Sequence, residues 1–250
     1  LSSKFGNTFE EIEKDGFNID EKIENFFKSD TQESIAKSAG LATMLLAESF
    51  KRLMPDIVLI LGDRFEAHAA ATAAMLMKIP IAHIHGGEIT EGAIDEQIRH
   101  SITKMSNLHF CSTEIYRQRI IQMGEDPCRV FNSGAPGIDN IKNLKLLSKN
   151  DLEKKINWNF SRQTALFTFH PVTLSNDDLL TDLSNILLCI EKSSISVLFT
   201  YANADSGGQI INKNIEKFSA KNPRRFKVVK NLGQINYLSA MRHVDLLIGN

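Results

Sequence analysis

Groups able to move protons or hold anions crowd into one stretch, Asp56 to His100, which reads DIVLILGDRFEAHAAATAAMLMKIPIAHIHGGEITEGAIDEQIRH. Asp63 and Arg64 follow one apolar run. His83, His85, Gly86, Gly87 and Glu88 close a second. Asp95, Glu96, Arg99 and His100 come soon after. Carboxylates and imidazoles are the usual side chains of general acid–base chemistry, and a guanidinium beside them suits an anionic leaving group or intermediate.

Two apolar runs, Ile57 to Leu61 and Ile79 to Ile84, flank an Ala-rich segment from Phe65 to Met77. The pattern predicts a βαβ unit whose strands, buried on both faces, read as continuous apolar runs. Both polar clusters then fall past the carboxyl ends of parallel strands, where open α/β sheets bind ligands. The segment from Asp95 to His100 opens the next helix.

Simpler readings compete at each position. Asp63 also suits a helix cap, and Asp95 an N-terminal helix position favoured by the dipole. His83 and His85 alternate along a strand, so both are expected on one face, where a His-x-His pair can begin a metal site, with Glu96 and His100 one turn apart as further ligands. His170 before Pro171 suits a satisfied strand-end residue, and His68 and His109 suit structural positions.

The pattern predicts a short helix around Thr8 to Lys14, another over Ile19 to Phe27, and a longer one over Thr31 to Leu53. Ser29 and Gln32 fit a capping box for the third, and Pro55 ends it. Ser112 or Thr113 should cap the helix that ends at Gly124. The polar segment Lys142 to Arg162 suits a connection and a surface helix. Alternation then resumes, with strands at Ala165 to Phe169, Ile195 to Thr200, Phe226 to Val229 and Val244 to Ile248, and helices at Leu179 to Ile190, Ile210 to Phe218 and Gln234 to Met241. Two doubly wound parallel sheets follow, in domains 1–141 and 142–250. Polar clusters recur at strand ends: His170 to Thr173, Asn203 to Gly208, and Gly249 with Asn250. Gly207 and Gly208, opening a helix, would let backbone approach a phosphate. Neither a GxGxxG fingerprint nor a Walker A motif is present, which argues against NAD and P-loop nucleotide use.

The 250 residues are 42% hydrophobic and 24% charged, with a net charge of −1. That is an ordinary globular composition, with no pull toward nucleic acid or a membrane surface. The three cysteines, Cys111, Cys128 and Cys189, are unpaired in spacing, as expected of reduced thiols in a cytoplasmic protein. The first residue is Leu1 and the last strand ends without a covering helix, so a fragment of a longer protein is expected.

Five motifs occur in order: GDRFE, HIHGGE, GAIDEQIRHSITK, FHPVT and NADSGG. Together with the opening LSSKFGNT they resemble, over nearly the whole chain, the hydrolysing UDP-N-acetylglucosamine 2-epimerases. The resemblance implies a two-domain GT-B fold with the nucleotide sugar in the cleft, no cofactor, a homodimer or homotetramer, and formation of N-acetylmannosamine for sialic acid-type synthesis. It implies elimination of UDP across C1–C2 of the sugar, then hydration of the glycal with inversion at C2. Asp63, Asp95 and His170 match the family's acid–base and diphosphate positions. Arg64, Asn203 and the backbone near Leu232 match nucleotide-sugar contacts. Arg99, Asp205, Gly207 and Asn250 complete the candidate substrate contacts.

One departure stands out. Sialic acid members carry HIEGGE, and this chain has His85 in place of the glutamate, plus one extra residue between Glu88 and Asp95. Either His85 or Glu88 takes the acid–base role. The same chemistry on a UDP-2,4-diacetamido-trideoxyhexose for legionaminic acid is a second expectation. An inactive nucleotide-sugar-binding domain and a metal-dependent hydrolase built on His83 and His85 are two others.

Overall fold

The computed structural model describes residues 9–24, 31–170, 179–202 and 207–249. Two compact units are present: Ile19–Lys142, and Asn143–Asn250 grouped with the N-terminal segment. Each described unit is α/β and built on a parallel four-stranded sheet, as the GT-B expectation requires.

The segment ahead of the first sheet carries the short helix α1 (Phe9–Lys14). The expected second helix is absent from the described residues 19–24, which are irregular. The long helix α2 (Gln32–Leu53) is capped by Thr31, whose side chain accepts from the Ser34 amide. Ser29, the expected capping residue, lies outside the described residues. The helix ends at Met54, whose left-handed backbone (φ 47°) precedes Pro55.

In the first unit, β1 (Val58–Leu61), β2 (Ile81–Ile84), β3 (Leu108–Cys111) and β4 (Val130–Asn132) lie side by side in chain order. Between them run α3 (Phe65–Leu76), α4 (Asp95–Met105) and α5 (Glu114–Gln122). Ala69, Ala71, Ala73 and Ala74 of α3 are buried, and small side chains let this helix lie close to its neighbours. The core joins Ile60, Ala71, Ala74, Ile81 and Ile102. One expectation fails here. The apolar run at β1 is not buried on both faces: Leu59 and Leu61 are 65% and 63% exposed. Among the described residues this strand lies at the edge of its sheet, and only its Ile60 side reaches the core.

After α6 (Pro136–Asn143), which turn residues had hidden, comes α7 (Lys149–Ile156). It is the expected surface helix, with one face buried. Leu152 and Ile156 are buried with Trp158 and Phe160 against Leu166 and Leu198. Its charges occupy one side only. The second sheet has order β7-β6-β5-β8, formed by β5 (Thr164–Thr168), β6 (Ser196–Thr200), β7 (Phe226–Val229) and β8 (Leu246–Gly249). Helices α8 (Leu179–Lys192), α9 (Gly208–Ala220) and α10 (Gly233–His243) alternate with them. The whole of β6 is buried, and Phe199 packs with Phe167, Phe218 and Phe226. Full burial of each such ring contributes roughly 1.5–3 kcal/mol.

Candidate active site

The local fold gathers the first unit's polar groups at the carboxyl end of its sheet. β1 ends at Leu61, and Gly62 (φ 78°) and Asp63 follow. Asp63 is not a helix cap. The N-cap of α3 is Arg64, with no side-chain cap bond, and the Asp63 carboxylate is instead ion-paired with Arg99 Nη2. Arg99, buried on α4, also donates to the Glu88 carbonyl (2.9 Å) and to Thr90 Oγ1 (3.0 Å). One guanidinium thus ties the β1 and β2 loops to α4, and burial lowers its pKa from the ordinary arginine value. Arg64 reaches Glu66 at 3.4 Å. Asp95 is the first residue of α4, where a carboxylate meets the positive end of the helix dipole.

His83 is fully buried. Its Nε2 lies 2.8 Å from the Gly62 carbonyl, so that nitrogen carries the proton, and its Nδ1 lies 3.2 Å from Thr103 Oγ1. The ring pins the end of β1 to β2 and fixes where Asp63 begins. Burial pushes its pKa down to about 4. A neutral buried imidazole stabilises the fold fully above the unfolded value near 6.5, and this contribution is lost as pH falls toward 4. The loss should approach roughly 3 kcal/mol, with His100 and His109, also lowered by burial, acting in the same direction. Urea unfolding midpoints measured across this window should fall for the native protein and fall less steeply in His83→Gln, where His100 and His109 still contribute.

The shared face expected for His83 and His85 is not formed. β2 stops at Ile84, and His85 adopts a left-handed backbone (φ 66°), so the strand's alternation does not extend to it. Both nitrogens of His83 are engaged, while Glu96 accepts from the Thr90 amide and faces His100 at 4.0 Å. Among the described residues no group of three or more His, Cys, Asp or Glu is placed to hold a metal ion. The ligand set proposed from spacing therefore does not assemble.

His85 Nδ1 instead meets Glu88 Oε1 at 2.7 Å, and Ser112 Oγ donates to the same oxygen at 2.7 Å. Gly86 and Gly87 make the intervening turn possible. A Cβ on Gly87 (φ 79°) would stand 2.6 Å from the Tyr116 carbonyl, and one on Gly86 would stand 2.9 Å from Thr103 Oγ1. Arg119 donates to the Gly87 carbonyl. The structure thus brings Asp63 to Arg99 and His85 to Glu88. Ser112, Thr90 and Thr103 join them: Thr103 lies in the GAIDEQIRHSITK motif, while no motif singled out Ser112 or Thr90. Only the ambiguity over which of Ser112 and Thr113 caps α5 marked one of them. Thr113 is the cap, accepting from the Tyr116 amide.

In the second unit, His170 lies half-buried just past β5. Gly207 (φ 86°) is the N-cap of α9, and Leu232 is that of α10, with its side chain in the core. Asn212 of α9 accepts from the Ala202 amide at 2.8 Å, anchoring the chain just after β6. Asn203, Asp205 and Asn250 lie outside the described residues, as does the segment from Pro171 to Thr173.

The family model for UDP-N-acetylglucosamine 2-epimerase matches residues 1–250. The chain is 43% identical over 251 residues to the GDP/UDP-N,N'-diacetylbacillosamine 2-epimerase (hydrolyzing) of Campylobacter jejuni, covering 100% of this chain and 65% of that protein. It is 36% identical to the polysialic acid biosynthesis protein P7 of Escherichia coli (98% and 63% covered). It is 32% identical to the UDP-N,N'-diacetylbacillosamine 2-epimerase (hydrolyzing) of Legionella pneumophila (100% and 66%). The chain thus spans just under two thirds of the length of these relatives. A UDP-GlcNAc 2-epimerase from Neisseria meningitidis, solved with UDP-GlcNAc bound, superposes with a TM-score of 0.74 at 16% identity (95% of this chain, 65% of that one). A Listeria monocytogenes structure described as a UDP-N-acetylglucosamine 2-epimerase does so at 0.74 and 18% (97% and 62%). At these identities the structures speak for the shared fold.

Proposed function

The chain belongs to the UDP-N-acetylglucosamine 2-epimerase family, and on that premise we propose that the protein is a hydrolysing UDP-sugar 2-epimerase converting UDP-GlcNAc and water to ManNAc and UDP. The observation that carries this reading is the pair of built polar groups at neighbouring strand ends, Asp63 on Arg99 and His85 on Glu88. A base takes the C2 proton while the C1–O bond breaks, its electron pair leaving with UDP and a C1=C2 bond forming. Water then adds hydroxyl to C1 and a proton to the opposite face of C2. Two proton-transfer groups are needed, and His85 and Asp63 supply them, with Asp95 next in line to activate water. Arg99 acts through Asp63, holding its carboxylate in place. Arg64, His170, Asn203, Asp205, Gly207, the backbone at Leu232 and Asn250 hold the nucleotide sugar, with His170 at the diphosphate. The assembly is a homodimer or homotetramer in the cytoplasm.

A second substrate is favoured by a specific observation. Relatives at 43% and 32% identity are named as diacetylbacillosamine 2-epimerases, so the UDP-2,4-diacetamido-trideoxyhexose is the competing sugar for the same chemistry. Incubating the complete gene product with each UDP-sugar in deuterated water separates the two. The expected products are UDP and a free 2-epimeric sugar deuterated at C2. Faster UDP release from the diacetamido sugar assigns it as substrate. Absence of UDP release from either overturns the enzyme reading in favour of a binding domain.

A further inference from the structure

We infer that Ser112 and Glu88 form a clamp that sets the tautomer of His85, making Nε2 the atom that exchanges a proton with substrate and Ser112 a positioning residue for the reaction. The inference rests on the functional reading above and resolves which of His85 and Glu88 handles the proton.

One carboxylate oxygen, Glu88 Oε1, faces both His85 Nδ1 and Ser112 Oγ at 2.7 Å. An ionised carboxylate only accepts, so both partners must donate to it. The proton of a neutral His85 ring therefore sits on Nδ1, and Nε2 keeps its lone pair. The nitrogen that bears the proton is set by the hydrogen bond the other one makes. Glu88 is thus committed to two donors and is poorly placed to act as a base itself.

Each part of the clamp is held from a different element. His85 leaves the β2 pleat through its left-handed backbone, while its amide still bonds the Phe110 carbonyl of β3 at 3.0 Å. Glu88 is fixed through its carbonyl by Arg99, and the Gly87 carbonyl is taken by Arg119. Ser112 follows the end of β3. Because Thr113 caps α5, the Ser112 hydroxyl is released from capping and turns to Glu88. A charge-assisted bond from a hydroxyl shares the negative charge on Oε1 and stops the carboxylate rotating away from the ring.

The test labels the histidines with 15N and reads the protonation of His85 in the complete gene product, at a pH where the ring is neutral, with His85→Gln to assign the signal. Wild type should show Nδ1–H and an unprotonated Nε2. Ser112→Ala should show mixed tautomers and a kcat about tenfold lower at little-changed KM, the size of one lost hydrogen bond. Ser112→Thr, which keeps the hydroxyl, should restore both. Nε2–H in wild type, or an unchanged single Nδ1–H tautomer in Ser112→Ala, overturns the inference. The NMR readout decides the clamp without any turnover, so a protein that releases no UDP from either sugar defeats the enzyme reading separately.

Discussion

Replacing His85 with alanine should lower kcat by about 10²–10⁴-fold, the usual worth of a positioned acid or base, while the thermal midpoint stays near that of wild type. Two features of the structure give the two halves of this result. The ring is one quarter exposed and, among the described residues, bonds Glu88 through Nδ1, so its removal opens no cavity in the core. Alanine meets the same left-handed backbone as histidine at φ 66°, so backbone strain is little changed. Proton transfer is an interaction made in the transition state, so KM should move far less than kcat. Steady-state kinetics on the preferred UDP-sugar, beside a melting curve, check both halves. A kcat within a few-fold of wild type would move the proton transfer at C2 from His85 to Asp63 or Asp95.

Arg99→Met carries the largest expected effect on stability. The guanidinium is buried and holds three partners from two loops: the Asp63 carboxylate, the Glu88 carbonyl and Thr90 Oγ1. Methionine fills similar volume but leaves Asp63, whose side chain is 19% exposed, as a largely buried charge without its counter-ion. Breaking such a pair from one side costs about 3–5 kcal/mol, and the residual exposure of Asp63 places this one near the lower figure. Urea denaturation followed by circular dichroism should show the drop. The double variant Asp63→Leu with Arg99→Met should recover much of the stability, because no charge is then stranded, but none of the activity. A single variant within about 1 kcal/mol of wild type would show that water or another cation already compensates Asp63, and Arg99 would return to the list of direct substrate contacts. Arg99→Lys should also fail, since one ammonium cannot reproduce the planar fork of a guanidinium.

The family and the fold class were legible from the chain alone because they depend on local facts. Apolar runs of strand length alternate with helical periodicity, and turn residues punctuate them, so two parallel α/β units follow from short-range chemistry. The five ordered motifs needed only residue identity. Asp63, His85, Glu88 and Arg99 could be nominated for the same reason: each lies just past a strand or on the helix that follows one.

What the chain could not declare was the pairing. Asp63 faces Arg99 across 36 residues, and Glu88 faces Ser112 across 24; such partners are chosen by where strand ends meet, which no local pattern encodes. His83 and His85 are the clearest case. Two residues apart in a strand they must share a face, but the left-handed turn at His85 separates them, leaving one as a buried neutral strut and the other at the site's surface. Residue type and spacing determined which groups could do the chemistry. Only the tertiary structure decided which group holds which, because hydrogen-bond direction and burial arise from contacts far apart in sequence.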